Sequence, residues 1–311
     1  MMNNRLLKKK LVFLLSKTIF IIFLLGLFLS DVAAQNTSLE QNFQNPPPTA
    51  KARTIWFWIN GNVSKEGITA DLEAMQQIGI QEALLFNVSL GHPQGNAPYL
   101  SSEWLEFFNY AALEAQRLGL ELGFHNGAGW SSSGGPAITP EYAMQEVVYA
   151  ETIHQGGTLF KGQLSQPKTK LEYYKDIAVL AFPKPKSQER INDLDIKSLS
   201  HKVRNHLAPD DKPVAASAVV KKAAIIDLTS KLTNDGFLEW DAPVGEWVIL
   251  RLGHTPTGEM NRFPSDGGRG LECDKMNSQA VDLFWNGGIM PIINKLDTLI
   301  GSVVKRCHID S

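Results

Sequence analysis

The sequence predicts an α/β fold: the first half of a (β/α)8 barrel, interrupted by an inserted antiparallel β module. Three observations carry that expectation. Short apolar runs alternate with helical patterns between residues 54 and 128. Each apolar run stops in a polar, glycine-bearing loop. After about residue 144 helical periodicity gives way to short strand-like runs, which continue to residue 252. Alternating strands and helices imply a parallel sheet with right-handed crossovers. Neither GxGxxG nor GxxxxGK[ST] follows the first strand, so a barrel is favoured over a nucleotide-binding doubly wound sheet.

The first strand is TIWFWI at 54–59, broken by Asn60-Gly61-Asn62. Ser64 offers a helix cap, and Ile68, Leu72, Met75 and Ile78 recur at helical spacing before Gly79. EALLFNV at 82–88 is the second strand, ending in Ser89, Gly91 and His92. Residues 104–118 form a second amphipathic helix, opened by Ser101-Ser102-Glu103 and closed by Gly119. The third strand runs into ELGFHNGAGWSSSGGPAITPE at 121–141, where an apolar segment breaks into a ring-, amide- and hydroxyl-bearing loop. In a strand-helix barrel that carboxyl end is where ligands bind. The plainer alternative is a tight turn whose Trp130 plugs the core.

Runs at 147–152, 176–182, 223–228, 237–240 and 247–252 predict the antiparallel module, and residues 168–222 carry most of the exposed charge. His254 opens a polar turn at 254–258, and a glycine-rich loop follows at 267–274. Residues 278–299 read as a helix interrupted at Gly287-Gly288 and Pro291, and 302–309 as a fourth parallel strand. Four such strands against the eight of a barrel suggest a chain truncated at its carboxyl end. The expected division is a leader at 1–34, a proline-bearing linker at 35–50, the barrel's first part at 51–145, the β module at 146–252 and the barrel continued at 253–311.

The chain has 311 residues, of which 43% are hydrophobic and 20% charged, so it can bury a substantial core. A formal net charge of −2, with no basic block beyond the amino terminus, argues against nucleic acid as a partner. Arg5, Lys8, Lys9 and Lys10 precede an apolar stretch at 18–30, and Ala33-Ala34 supplies small residues for cleavage. This is the pattern of a secretory signal, implying a secreted or periplasmic protein. A membrane anchor is the rival; Lys17 leaves the stretch shorter than the roughly 20 residues a span needs. No membrane span is therefore expected after signal removal. The 2 cysteines, Cys273 and Cys307, form no disulfide framework and no zinc spacing.

Several stretches resemble glycoside hydrolase family 106, the α-L-rhamnosidases: WFWINGNVSKEGITADLEAM at 56–75, HNGAGWSSSGGP at 125–136, residues 227–240 running on to RLGHT at 251–255, RGLECDK at 269–275, and HIDS at 308–311. The resemblance covers nearly everything from about residue 46 onward, and members of that family are much longer chains. It implies a catalytic (β/α)8 barrel, inverting hydrolysis of terminal α-L-rhamnosides in oligo- or polysaccharides, and a calcium ion near the sugar. Inversion needs one carboxylic acid to protonate the leaving oxygen and one carboxylate to activate water. By resemblance Glu272 is the general acid, with apolar neighbours able to keep it protonated; a surface salt bridge to Arg269 or Lys275 is the alternative. Asp274 shares a face with Glu272 if the segment is extended, and could assist it, bind a cation or cap the next helix. The base is expected outside this chain.

Trp58, Asn60, Asn87, His125, Asn126 and Trp130 fall at or just past strand ends and suit sugar recognition: amides and imidazole for hydroxyls, tryptophan for the apolar 6-deoxy end. His254 is a further candidate, whereas Trp56 and Phe57 read as barrel core and His92 and His201 as surface. Two other readings stay open: an inert fragment retaining part of a sugar pocket, and a barrel hydrolase of unrelated substrate.

Overall fold

The computed structural model describes residues 39–187, 189–197 and 213–310. The expected leader, the start of the linker, His201 and the middle of the charged excursion lie outside the described residues. Two units are distinguished, Met1–Ala52 and Arg53–Ser311. In the first, a short helix α1 (Leu39–Gln44) and a 3-10 turn (Pro48–Ala50) occupy the expected linker and bury none of their residues.

The second unit begins with strand, helix, strand, helix, strand: β1 (Ala52–Ile59), α2 (Lys65–Gln77), β2 (Ile80–Val88), α3 (Ser102–Leu118) and β3 (Glu121–Ala128). Next come β4 (Gln145–Gly156), β5 (Leu159–Gln163), β6 (Lys175–Pro183), β7 (Ile226–Asp227), β8 (Phe237–Asp241) and β9 (Gly245–Pro256). The chain then returns through α4 (Ser278–Phe284) and α5 (Met290–Leu296) to β10 (Val304–His308).

One four-stranded sheet has the order β1-β2-β3-β10. β3 is parallel to both β2 and β10, with His308 opposite His125. The Asn60 amide donates to Val88 O (2.7 Å), so β1 and β2 end on the same edge. The order agrees with the four parallel strands expected; among the described residues they form an open sheet. The helices follow their sequence signals. Ser64 and Ser101 accept from the backbone N–H groups of Gly67 and Trp104, satisfying first-turn donors, and Gly119 ends α3 at φ 70°. Between α4 and α5 a π turn at Trp285–Ile289 accommodates the Gly287-Gly288 pair and Pro291.

One face of this sheet packs against the helices. Trp58 and Leu85 meet Leu72, Trp104 and Phe108 there, joined by Leu122 and Phe124. Trp58 lies edge-on to Trp104 (5.7 Å between centroids) and Phe108 (6.3 Å), the tilted geometry that ring quadrupoles favour. Strand alternation turns Glu82, Leu84 and Phe86 to the other face. There the buried Glu82 carboxylate receives Arg53 (3.1 Å) from β1 and Arg306 (2.6 Å) from β10, tying three strands together.

The inserted module is an antiparallel sheet of order β4-β9-β6-β7 with a β5–β8 ribbon. Its core gathers Val179, Leu238, Trp240, Trp247 and Ile249. β5 escapes sequence reading because LFKGQ has no apolar run; its pairing with β8 makes it a strand. β7 is two residues rather than the expected 223–228, since a 3-10 turn takes Lys222–Ala224. Within β9, Arg251 is buried: it forks onto Asp176 (2.8 Å from Nε and from Nη2), donates to Leu164 O (2.9 Å) and lies over the Tyr174 ring.

Two expectations follow. Asp176 is held below the usual carboxylate range, chiefly by the Arg251 hydrogen bonds. A depressed folded value stabilises fully above the unfolded value of about 3.9 and is lost as pH falls through the folded one. Asp176→Asn should therefore destabilise by on the order of 2 kcal/mol at pH 7, by leaving Arg251 poorly compensated, and the gap to wild type should narrow as pH falls below the unfolded value of about 3.9. Denaturant melts across that range check this; a gap that stays constant with pH refutes the linkage. Second, Gly129 has φ +84° and a Cβ there would lie 2.0 Å from Arg262 O, whereas Gly91 has φ +78° with nothing within 4 Å. Gly129→Ala should cost at least about 2 kcal/mol and clearly more than Gly91→Ala; equal losses would exclude the close approach as the cause.

Candidate functional site

The site is built where two glycine-rich loops cross over the carboxyl ends of the parallel strands. The first follows β3 and the second spans residues 257–275. Their backbones touch directly. Trp130 N donates to Arg262 O (2.9 Å) and Gly135 N to Leu271 O (3.1 Å), while Gly129 N ties the first loop to Asn87 O of β2 (2.7 Å). A Cβ on Gly270 would stand 2.0 Å from the Gly135 carbonyl carbon, so only glycine permits that approach. Asn261, buried in the second loop, donates to Ala128 O (3.3 Å) and Gly268 O (2.8 Å) and accepts from Gly270 N (3.0 Å).

Asn60 does related work at the β1 tip. Its φ is +48°, its Nδ2 donates to His92 O (2.8 Å) and Asp266 Oδ2 (3.0 Å), and its Oδ1 accepts from Asp266 N (2.8 Å). Every polar atom of that side chain is engaged, so Asn60 anchors the second loop rather than offering itself to a ligand.

His125 and Asn126 differ. His125 Nδ1 lies 2.8 Å from Gly127 O and 3.3 Å from Gly127 N; the shorter contact, to an oxygen that only accepts, assigns the proton to Nδ1. Burial pushes the imidazole below its ordinary value, keeping it neutral. Its Nε2, now an acceptor, is buried without a partner. Asn126 Nδ2 donates to Ser132 O (2.6 Å), which fixes the amide's orientation and leaves Oδ1 buried and unpartnered as well. Two adjacent residues thus present unsatisfied acceptors, an arrangement natural proteins rarely leave without a purpose.

Around His125 is an aromatic wall. Phe86 stacks on it at 4.6 Å, His308 stands 5.8 Å away, and Trp130 packs on Phe86 (5.2 Å) and Phe57 (5.6 Å). Trp130 is half-buried in this wall rather than a core plug.

Glu272 sits beneath the first loop. Ser133 Oγ donates to its Oε2 (3.1 Å), and Lys275 Nζ lies 3.6 Å from the same oxygen, with the carboxylate side chain 12% exposed. The apolar surroundings expected from the sequence are replaced by a hydroxyl and an ammonium; the Lys275 contact is the salt bridge held open as the alternative. Asn126 bonds Ser132 and Glu272 bonds Ser133, while Asn60 grips Asp266, so all three expected side chains gather on one pair of loops.

Four expected residues are placed differently. Trp58 is 2% exposed in the helix-side core, and Phe57 takes the opposite face beside Trp130; period-two alternation reverses the roles assigned to them. Asn87 faces the helices too, its Oδ1 accepting from Trp104 Nε1 (2.8 Å). His254 is inside β9, not a turn, with Nδ1 3.0 Å from Gln145 Oε1; burial, then the Lys175 charge, lowers its pKa. Asp274 caps a turn, Oδ1 accepting from Met276 N (3.0 Å), and Asn277 caps α4 behind it.

Calcium, which the resemblance implies, binds backbone and amide carbonyl oxygens as well as carboxylates. Among the described residues no three His, Cys, Asp or Glu side chains are grouped to hold a metal. The loop carboxylates are engaged singly, Asp266 by Asn60, Glu272 by Ser133 and Lys275, Asp274 by its own turn. Ser133, Phe57, Phe86 and Asp266 escaped sequence reading. Alternation sets Phe57 on the face opposite Trp56 and Trp58 without telling which face meets the helices, and nothing local signals Ser133 or Asp266.

A protein of Formosa agariphila named "Putative beta-glucuronidase" is 60% identical over 299 residues, covering 94% of this chain and 26% of that protein. The chain therefore spans about a quarter of the length of that relative. A solved structure, the rhamnosidase from Novosphingobium sp. PP1Y, matches with a TM-score of 0.69 at 24% identity, over 84% of this chain and 38% of the other, which shows a shared fold. The family model for glycoside hydrolase family 106, described as alpha-L-rhamnosidase, matches residues 44–311, and the chain belongs to that family.

Proposed function

We propose that this chain supplies the sugar pocket and the general acid of an exported glycoside hydrolase that releases terminal α-L-rhamnose by inversion. The observation carrying the proposal is the pair of buried, partnerless acceptors at His125 and Asn126. Sugar hydroxyls are donors of the matching kind, and a neutral imidazole accepts one without charge. Trp130 and Phe57 offer apolar faces to the deoxy end of the ring.

In this mechanism the Glu272 carboxyl, oriented by Ser133, gives its proton to the leaving glycosidic oxygen as the C–O bond breaks. Water attacks the opposite face of the sugar, activated by a carboxylate that the proposal places outside these 311 residues. Asp274 has no direct part, since its carboxylate holds the turn behind Glu272. The half-barrel reading of the open sheet, the division into barrel and module, and export through the leader belong to the same proposal; no helix among the described residues is long and apolar enough to cross a membrane.

A second reading, hydrolysis of a β-D-glucuronide, rests on the name of the relative from Formosa agariphila. The two separate in one assay of a protein that joins this chain to the base-bearing part the proposal requires. Hydrolysis of 4-nitrophenyl α-L-rhamnoside should exceed that of 4-nitrophenyl β-D-glucuronide, with β-L-rhamnose as the first anomer seen by proton NMR. Release from the glucuronide alone would reassign the substrate. Glu272→Gln should lower kcat on the rhamnoside by about 10²–10⁴-fold, and by less with a 2,4-dinitrophenyl leaving group that needs no proton; undiminished turnover would remove Glu272 from the role. His125→Ala should raise KM roughly tenfold through one lost hydrogen bond, and an unchanged KM would leave the ring without a sugar contact. The 311-residue chain alone should bind L-rhamnose and release no 4-nitrophenol.

A further inference from the structure

We infer that Leu90 and Phe263 form an apolar platform at the mouth of the site, receiving the flat apolar face of the group attached to the cleaved sugar. This rests on the glycoside reading above and adds the leaving-group side to it.

Both residues adopt the left-handed backbone conformation, Leu90 at φ 46° and Phe263 at φ 48°. For a bulky side chain that conformation is an outlier; Leu171, just before β6 of the inserted module, shares it at φ 52°, so position and not strain alone carries the inference. The two outliers lie on loops from different parts of the chain whose backbones meet beside them. Val88 bridges to Pro264, and Ser89 N donates to Phe263 O (3.4 Å). Burial does not compensate the strain: Leu90 is 54% exposed and Phe263 64% exposed. A leucine and a phenylalanine each held in an unfavourable backbone state, and each presented to solvent, break a local rule with no gain in packing.

Their position supplies the reason. Leu90 follows the tip of β2, whose Val88 O accepts from Asn60 N, the strand-end anchor. Phe263 follows Arg262, whose carbonyl accepts from Trp130 N in the aromatic wall. The platform therefore sits on the rim of the pocket rather than in it. The face a rim can hold is that of an aryl aglycone or the C–H side of a neighbouring pyranose, which share the same stacking chemistry.

Replacement by glycine separates strain from function, because glycine accepts positive φ freely. The chain and its Leu90→Gly and Phe263→Gly variants are melted, and each is titrated with methyl α-L-rhamnoside, 4-nitrophenyl α-L-rhamnoside and a rhamnose-containing disaccharide. The methyl and 4-nitrophenyl β-D-glucuronides are run in parallel. The parent should bind the 4-nitrophenyl glycoside or the disaccharide about five- to tenfold more tightly than the methyl glycoside. Both variants should lose that preference, keep the methyl glycoside's affinity and melt no lower than the parent. The aryl and disaccharide arms tell which source supplies the apolar face. A preference seen only in the glucuronide series supports the platform while ending the rhamnoside reading. A preference retained in the variants, a lower melting temperature, an absent preference in the parent, or no binding of any probe overturns the platform.

Discussion

Backbone-to-backbone contact between two glycine-rich loops is the constraint on which the site depends. The loop after β3 and the 257–275 loop meet backbone to backbone at their glycines. Gly129 lies against Arg262, Gly134 against Leu271, and Gly270 against Gly135. Direct approach lets main-chain amides and carbonyls satisfy each other where neither strand nor helix is available, as buried polar groups require. It also brings Ser133 to Glu272 across 139 residues of chain. A methyl group at any of these glycines would push the loops apart and carry the carboxylate away from the strand tips.

Beneath the loops the sheet holds the strand tips level. Glu82, buried between Arg53 and Arg306, joins β2 to β1 and β10 on the face turned from the helices. Trp58, Trp104, Phe108 and Phe124 fill the other face, so the helices cannot slide along the strands without opening a tightly packed aromatic core. The inserted module has its own core around Trp240 and Trp247 and its own buried ion pair at Arg251 and Asp176. It reaches the site at its rim: Ala143, just before β4, bridges Cys273, and Thr257, just after β9, donates to Met144 O (2.8 Å). The module thereby fixes where the second loop starts and how it returns.

Polar groups in the site divide by whether their hydrogen-bonding capacity is used. Asn60, Asn87 and Asn261 are buried and engaged, and their work is architectural. His125 Nε2 and Asn126 Oδ1 are buried and free of partners, as are Trp58 Nε1, Tyr99 Oη and Ser265 Oγ, and the proposed sugar contact rests on the first two because they adjoin at a strand tip. Leu90 and Phe263 show the same logic in apolar form, being costly to hold as they stand and unrewarded by the fold.

The order of elements was legible in the sequence because it depends on local physics. Ser64, Ser101 and Gly119 mark helix ends through bonds to near neighbours, and apolar spacing marks the buried stripes. The family, too, was legible, since HNGAGWSSSGGP and RGLECDK are long stretches whose glycines are required by one tight loop crossing. Which face each strand residue occupies was decided only by tertiary structure. A run such as TIWFWI is apolar on both sides, and nothing in it tells which side meets the helices, so Trp58 and Phe57 exchange their expected places. The surroundings of Glu272 and the engagement of Asn60 were likewise decided by partners at Ser133 and Asp266, distant in the chain. Those contacts depend on where two loops cross, and no periodicity in either loop records it.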